Sequence, residues 1–158
     1  MPVFTHLNQN NEVHMVDVTP KPDVSREATA KGRIYLRPET LAAIAEGRVL
    51  KGNVLATAQV AGTLAVKQTW ALIPMCHPLP VGGVTIWFEL TKEYIEAFCC
   101  VKTYGKTGIE MESLTGVSLA LLTIWDMVKS AEKDEAGQYP VTRIDGISVI
   151  EKKKGNPQ

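Results

Sequence analysis

The chain is poor in the residues that mark a metal centre or a disulfide scaffold: it has three cysteines and three histidines in 158 residues. Cys76, Cys99 and Cys100 are odd in number, and two of them are neighbours in a strand-like segment, where adjacent side chains point to opposite faces. That argues against a disulfide framework and for packing thiols in a reducing compartment, the cytoplasm. His6, His14 and His77 form no H-x-H or H-x-x-x-H pattern, and no C-x-x-C occurs, so a metal would need unpatterned ligands. No apolar run approaches the roughly 18 residues of a membrane span, and the first residues lack the basic start and apolar stretch of a signal peptide. Formal net charge is zero, which argues against a general affinity for nucleic acid. A polyanion would have to meet a local group of lysines.

What is present is one domain's worth of chain, with 45% hydrophobic and 22% charged residues. We expect a single domain over 1–158, with an extended arm at 1–24 and a basic C-terminal tail at 151–158. Ala28 and Ala30 alternate, then Ile34 and Leu36, so 25–36 reads as a strand with Gly32 as a bulge. A short helix follows at 38–47, opened by Pro38 and closed by Gly47. The stretch 52–74 has apolar residues at helical spacing until Pro74. Strands at 82–90 and 93–104 make a hairpin across Thr91-Lys92. A long helix at 106–133 and a last strand at 139–152, with a kink at Asp145-Gly146, complete the order. Leaving out the short helix, that order is β-α-β-β-α-β. It predicts an α+β, ferredoxin-like antiparallel sheet with two long helices packed on one face.

The long helix carries most of the chemistry. Thr107-Gly-Ile-Glu110 fits a capping box, so Glu110 is either a cap or a site residue. Glu112 lies about 200° further round and cannot cap; near the positive end of the helix dipole its carboxylate is expected to be ionised. Leu114, Val117, Leu121, Ile124 and Val128 form the stripe assigned to the sheet. Leu122, Trp125 and Met127 extend the apolar surface beyond it, as in a helix also covered by a second subunit. Asp126 and Lys129 are three apart: either a solvated ion pair or, set partly buried in an apolar surface, an acid/base couple. Glu112 and Asp126 stand about 21 Å apart along the axis, too far for one chain to close both on one small reacting centre. Lys51-Gly52-Asn53 and Gly105-Lys106-Thr107-Gly108 each put a lysine at a helix start, a setting suited to an anion. In LIPMCHPLP (72–80), Cys76 and His77 are adjacent and do not aim at each other as a nucleophile pair would.

MVDV (15–18), REA (26–28), KG (51–52), TWALIPMCHPL (69–79), KTGIEMESLT (106–115) and LLTIWDMVK (121–129) together resemble the cyclic pyranopterin monophosphate synthase family, also called molybdenum cofactor biosynthesis protein C or MoaC. The resemblance implies a ferredoxin-like subunit, assembled as a homohexamer of three dimers with active sites at the dimer interface. It implies a lyase that turns a cyclised dihydroguanosine triphosphate into cyclic pyranopterin monophosphate and releases pyrophosphate. No redox cofactor is implied, and Mg²⁺ accompanying the triphosphate is left open.

Carried over position by position, Asp126 and Lys129 match the family's catalytic pair. Lys51, Met75, Cys76, His77, Glu110, Met111 and Glu112 match substrate-binding segments, and Arg26 falls where a phosphate ligand belongs. Relatives continue the last strand into Lys-x-Gly-Gly-Lys-Ser-Gly, whereas this chain reads Ile150-Glu-Lys-Lys-Lys-Gly-Asn-Pro-Gln. The C-terminal site lysine therefore maps to Lys152, with Lys153 and Lys154 as alternatives. Two rivals stand beside this reading. A regulatory module binding a nucleotide without turnover would leave Asp126 and Lys129 idle, and a metal-assisted synthase is disfavoured by the histidine spacing.

Overall fold

A computed structural model describes residues 5–157; the arm's first four residues and the tail's Gln158 lie outside it. The elements are β1 (Val24–Tyr35), α1 (Pro38–Ala45), α2 (Val54–Leu72), β2 (Val81–Leu90), β3 (Tyr94–Gly105), α3 (Glu110–Glu132) and β4 (Arg143–Lys154). The sheet runs β2-β3-β1-β4, and every pairing is antiparallel. That is the split pattern expected from the element order, with β1 and β3 central and α2 and α3 covering one face.

Alternation sets which side of each strand is buried. Ala28, Ala30 and Ile34 of β1 and Ile95, Ala97, Cys99 and Val101 of β3 turn inward and are buried. Val117, Leu121, Ile124 and Val128 of α3 meet them, as the stripe predicts, while Leu114 packs at the edge. The approach is close because glycines line it. A Cβ on Gly116 would come within 2.8 Å of both Cys99 Sγ and Val66 Cγ2, and one on Gly62 within 2.9 Å of the Gly116 carbonyl. Among the described residues α3 is the helix long and apolar enough to cross a membrane. Its inner side chains are spent on the sheet instead, whereas Leu122 on the opposite side is 52% exposed.

Two expectations shift in detail. The β1–β4 register jumps between Lys31 and Arg33, so Gly32 does sit at a bulge, matched on β4 by Gly146 at φ 65°. A Cβ on Gly32 would meet Leu121 and Ile147 at 2.9 Å, which is why glycine stands there. The basic tail is in large part strand. Residues 151–154 belong to β4 and pair with Arg26–Thr29, because β1 extends far enough to template them. Gly155 then bonds the Ser25 carbonyl at 2.8 Å. The arm folds back on itself, with His14 N–H donating to the His6 carbonyl at 3.0 Å around a Leu7–Val13 bridge.

Candidate active site

α2 ends because Pro74 drives Ile73 into extended backbone (φ −110°, ψ 109°). The proline-stiffened segment that follows carries Met75, Cys76 and His77 beside the start of α3. With Glu110, Met111 and Glu112 they line one pocket of about 250 Å³. Six residues taken from two separate sequence segments thus share one cavity. The arm supplies a further wall through His6, Val16 and Lys21, with His77 Nε2 2.7 Å from the Val16 carbonyl. No periodicity or spacing marked those arm residues, although Val16 lies within MVDV (15–18); they arrive because the arm folds back.

The expected capping box at Thr107 does not form. α3 begins at Glu110, Ile109 is the N-cap, and no side chain caps the helix. Glu110 instead forms an ion pair with Lys152, which β4 places on the same side as Ala28. Gly108 permits this, because any Cβ there would overlap the Glu110 carboxyl. Burial acts against the Glu110 charge, but Lys152 and the nearby Arg26 guanidinium outweigh it and hold the group below the usual carboxylate range. Of the three tail lysines, Lys152 is therefore the one paired with a residue of this pocket. Lys153 faces the other way, toward Glu27 and Glu151, each at 3.2 Å. Arg26 donates through Nε to the Gly105 carbonyl and through a terminal nitrogen to the Lys106 carbonyl, both at 3.1 Å. It braces the loop that launches α3.

Glu112 is more buried than a helix-start carboxylate in solvent would be. It is 4% exposed, and that burial, with the Glu110 charge nearby, pushes its carboxyl above the ordinary value. Desolvation outweighs the helix dipole here because the group sits beneath the Cys76 segment and not in solvent. The native state then binds this proton more tightly than the unfolded chain. The associated stability is present below about pH 4.5 and is lost as pH rises through the raised folded value. Glu112→Gln should therefore be more stable than the parent at pH 7, with the advantage shrinking toward pH 4. Urea unfolding at the two pH values reads this directly, and an advantage that grows on acidification would contradict it. Burial, with Glu112 beside it, also pushes the Cys76 thiol up, which disfavours the nucleophilic thiolate and leaves Cys76 as wall.

The second group lies at the far end of α3. Lys129 Nζ donates to Asp126 Oδ1 at 2.7 Å. Lys51, from the loop before α2, donates to the Asp126 carbonyl at 2.9 Å, with its ammonium 3.6 Å from Oδ2. Lys129 foremost, then Lys51, holds the Asp126 carboxyl below its usual range, and Asp126 in turn raises Lys129. The pair is more open than expected, at 61% and 47% side-chain exposure, because this stretch of α3 faces outward from the single chain. A larger cavity of about 420 Å³ opens beside Lys51, lined also by Arg37, Arg48 and Met127. Size does not make it the site, since of the candidate catalytic and substrate-binding residues only Lys51 reaches it.

One chain thus presents two separate clusters of candidate residues, a carboxylate-and-imidazole pocket and a lysine–aspartate–lysine cluster, about 21 Å apart along one helix. Among the described residues no group of three or more His, Cys, Asp or Glu is placed to hold a metal ion.

Comparison with known proteins places this geometry in context. The MoaC family matches residues 15–155. A protein of Methanocorpusculum labreanum, named as a probable cyclic pyranopterin monophosphate synthase, is 94% identical over the full length of both chains. Proteins with the same name from Methanoregula boonei and Pyrococcus abyssi are 68% and 61% identical; each alignment covers 96% of this chain, and 97% and 94% of theirs respectively.

Proposed function

The chain belongs to the MoaC family, and we propose that it is a cyclic pyranopterin monophosphate synthase of molybdenum cofactor biosynthesis. It is a lyase acting on a small nucleotide-derived substrate, (8S)-3′,8-cyclo-7,8-dihydroguanosine 5′-triphosphate, with release of pyrophosphate. The observation that supports the residue-level reading is that candidate residues from separate segments gather in two places, His77, Glu110 and Glu112 around one pocket and Lys51, Asp126 and Lys129 in one ion-pair cluster.

Rebuilding the purine as a pterin breaks and re-forms C–N bonds, and each step moves protons. Asp126, held ionised, serves as the acceptor and Lys129, held protonated, as the donor. An exposed lysine is a weak acid; covering the cluster with a second subunit desolvates it and brings its pKa down toward a working range. His77 and Glu112 grip the ring and ribose, with Met75, Cys76 and Met111 as walls. Arg26 and Glu110 hold the α3 entry loop and Lys152 in place. Lys51 and Lys152 neutralise the triphosphate while a ribose oxygen bonds the α-phosphorus and the bond to the β-phosphate oxygen breaks, expelling pyrophosphate.

A homohexamer of three dimers, with each site shared across a dimer interface, is part of this reading. It is supported by the separated half-sites and by apolar side chains left open on the helices: Val60, Leu64 and Leu122 are all more than half exposed. A cytoplasmic location is supported by three free thiols. The reaction as read needs no redox cofactor, and Mg²⁺ carried by the triphosphate is compatible with it. The decisive assay supplies the cyclised triphosphate and follows pyrophosphate and an oxidisable, fluorescent pterin. Release of both, persisting in the presence of a chelator, is the expected result. Binding without either product would instead leave a nucleotide-binding module.

A further inference from the structure

Among its described residues the arm ahead of β1 gives no side chain to the buried apolar core, which starts at Val24, yet it forms a wall of the pocket. Two fastenings hold it. Lys106 Nζ donates to the Lys21 carbonyl at 2.9 Å and lies 3.4 Å from the Asp23 carboxylate. The other is the 2.7 Å contact between His77 Nε2 and the Val16 carbonyl. A carbonyl oxygen only accepts, so Nε2 must carry the hydrogen. A neutral imidazole has a single N–H, which leaves Nδ1 as the ring's only acceptor.

We propose that the Val16 main-chain carbonyl is a positioning group for His77: the arm fixes the imidazole as its Nε2–H tautomer, and Lys106 is the latch that keeps the arm in place. His77 then reads a donor, an N–H or O–H of the ligand, and not a carbonyl. The charged and titratable groups around it are Asp17 next to Val16, Lys21 and His6 on the arm, its neighbour Cys76, and Glu110 and Glu112 on α3. The ligand consequence rests on His77 as a substrate residue, as proposed above; the tautomer and the latch do not.

The test uses the full-length protein with ¹⁵N-labelled histidine. Long-range ¹H–¹⁵N spectra report which ring nitrogen is protonated, and the His77 signals are those lost in His77→Gln. The expected parent spectrum shows His77 with a protonated Nε2 and a bare Nδ1. Lys106→Met keeps the side-chain stem but loses the contacts to both Lys21 and Asp23. It should convert His77 to a tautomer mixture and raise KM for the cyclised triphosphate on the order of tenfold, the scale of losing a group that orients a histidine. kcat should change less. An Nδ1–H tautomer in the parent overturns the proposal before any variant is made. So does a folded Lys106→Met protein with unchanged His77 signals and KM. Absence of turnover in the parent would sink the enzymatic reading alone, since the tautomer is read without substrate.

Discussion

Asp126→Asn should slow turnover by roughly 10²–10⁴-fold, the range for losing a positioned general acid/base, while leaving the fold as stable as the parent. The two halves of that expectation have separate causes. Asp126 is solvent-exposed in the single chain and its ion pair with Lys129 spans one helical turn, a class of interaction worth only a few tenths of a kcal/mol. Asparagine keeps the shape and still accepts from Lys129, so little stability is at stake. What it loses is the charge that raises Lys129 and the carboxylate oxygen that takes a proton. Lys129→Ala should cost turnover on the same scale, and the double variant little more than either single one, because members of an acid/base couple act as a unit. Steady-state kinetics with thermal unfolding alongside measures both quantities. Normal turnover in either single variant would remove the pair from the mechanism. A large drop in unfolding temperature would instead assign it a structural role.

The fold was readable because its signals are local. Alternation at Ile95, Ala97, Cys99 and Val101 and the stripe from Val117 to Val128 each name a buried face without knowledge of the rest of the chain. The Gly32 bulge was readable for the same reason. What failed was local reasoning overruled by a distant partner. Thr107 and Glu110 have capping-box spacing, yet Glu110 is claimed by Lys152 from a strand some forty residues on. Glu112 sits where a dipole favours charge, yet burial beside the Cys76 segment works against that charge and raises its carboxyl. The tail lysines look like a solvated run until β1 templates them as strand and alternation separates Lys152 from Lys153. The pocket wall contributed by His6, Val16 and Lys21 left no trace in spacing, because an irregular arm has no period to read.

The expected outcome with the widest reach is rescue between two dead chains. His77→Ala disables the pocket at one end of α3, and Asp126→Asn disables the cluster at the other. If both half-sites of one chain served the same reaction centre, no mixture of the variants could work. About 21 Å of rigid helix lies between Glu112 and Asp126, so the two ends of one chain must serve different centres. In the two-fold dimer proposed above, the pocket of each chain pairs with the cluster of the other. A mixed dimer then contains one site with both lesions and one with neither. Random re-assembly of equal amounts should therefore recover about a quarter of parental activity from two preparations that each show almost none. The subunits are exchanged under mild denaturant and the product is followed as fluorescent pterin. Recovery near a quarter, proportional to the mixed dimer measured by native mass spectrometry, assigns each site to two chains. Mixed dimers that form and stay inactive would mean that each chain completes its own site, which would require α3 to break between Glu112 and Asp126.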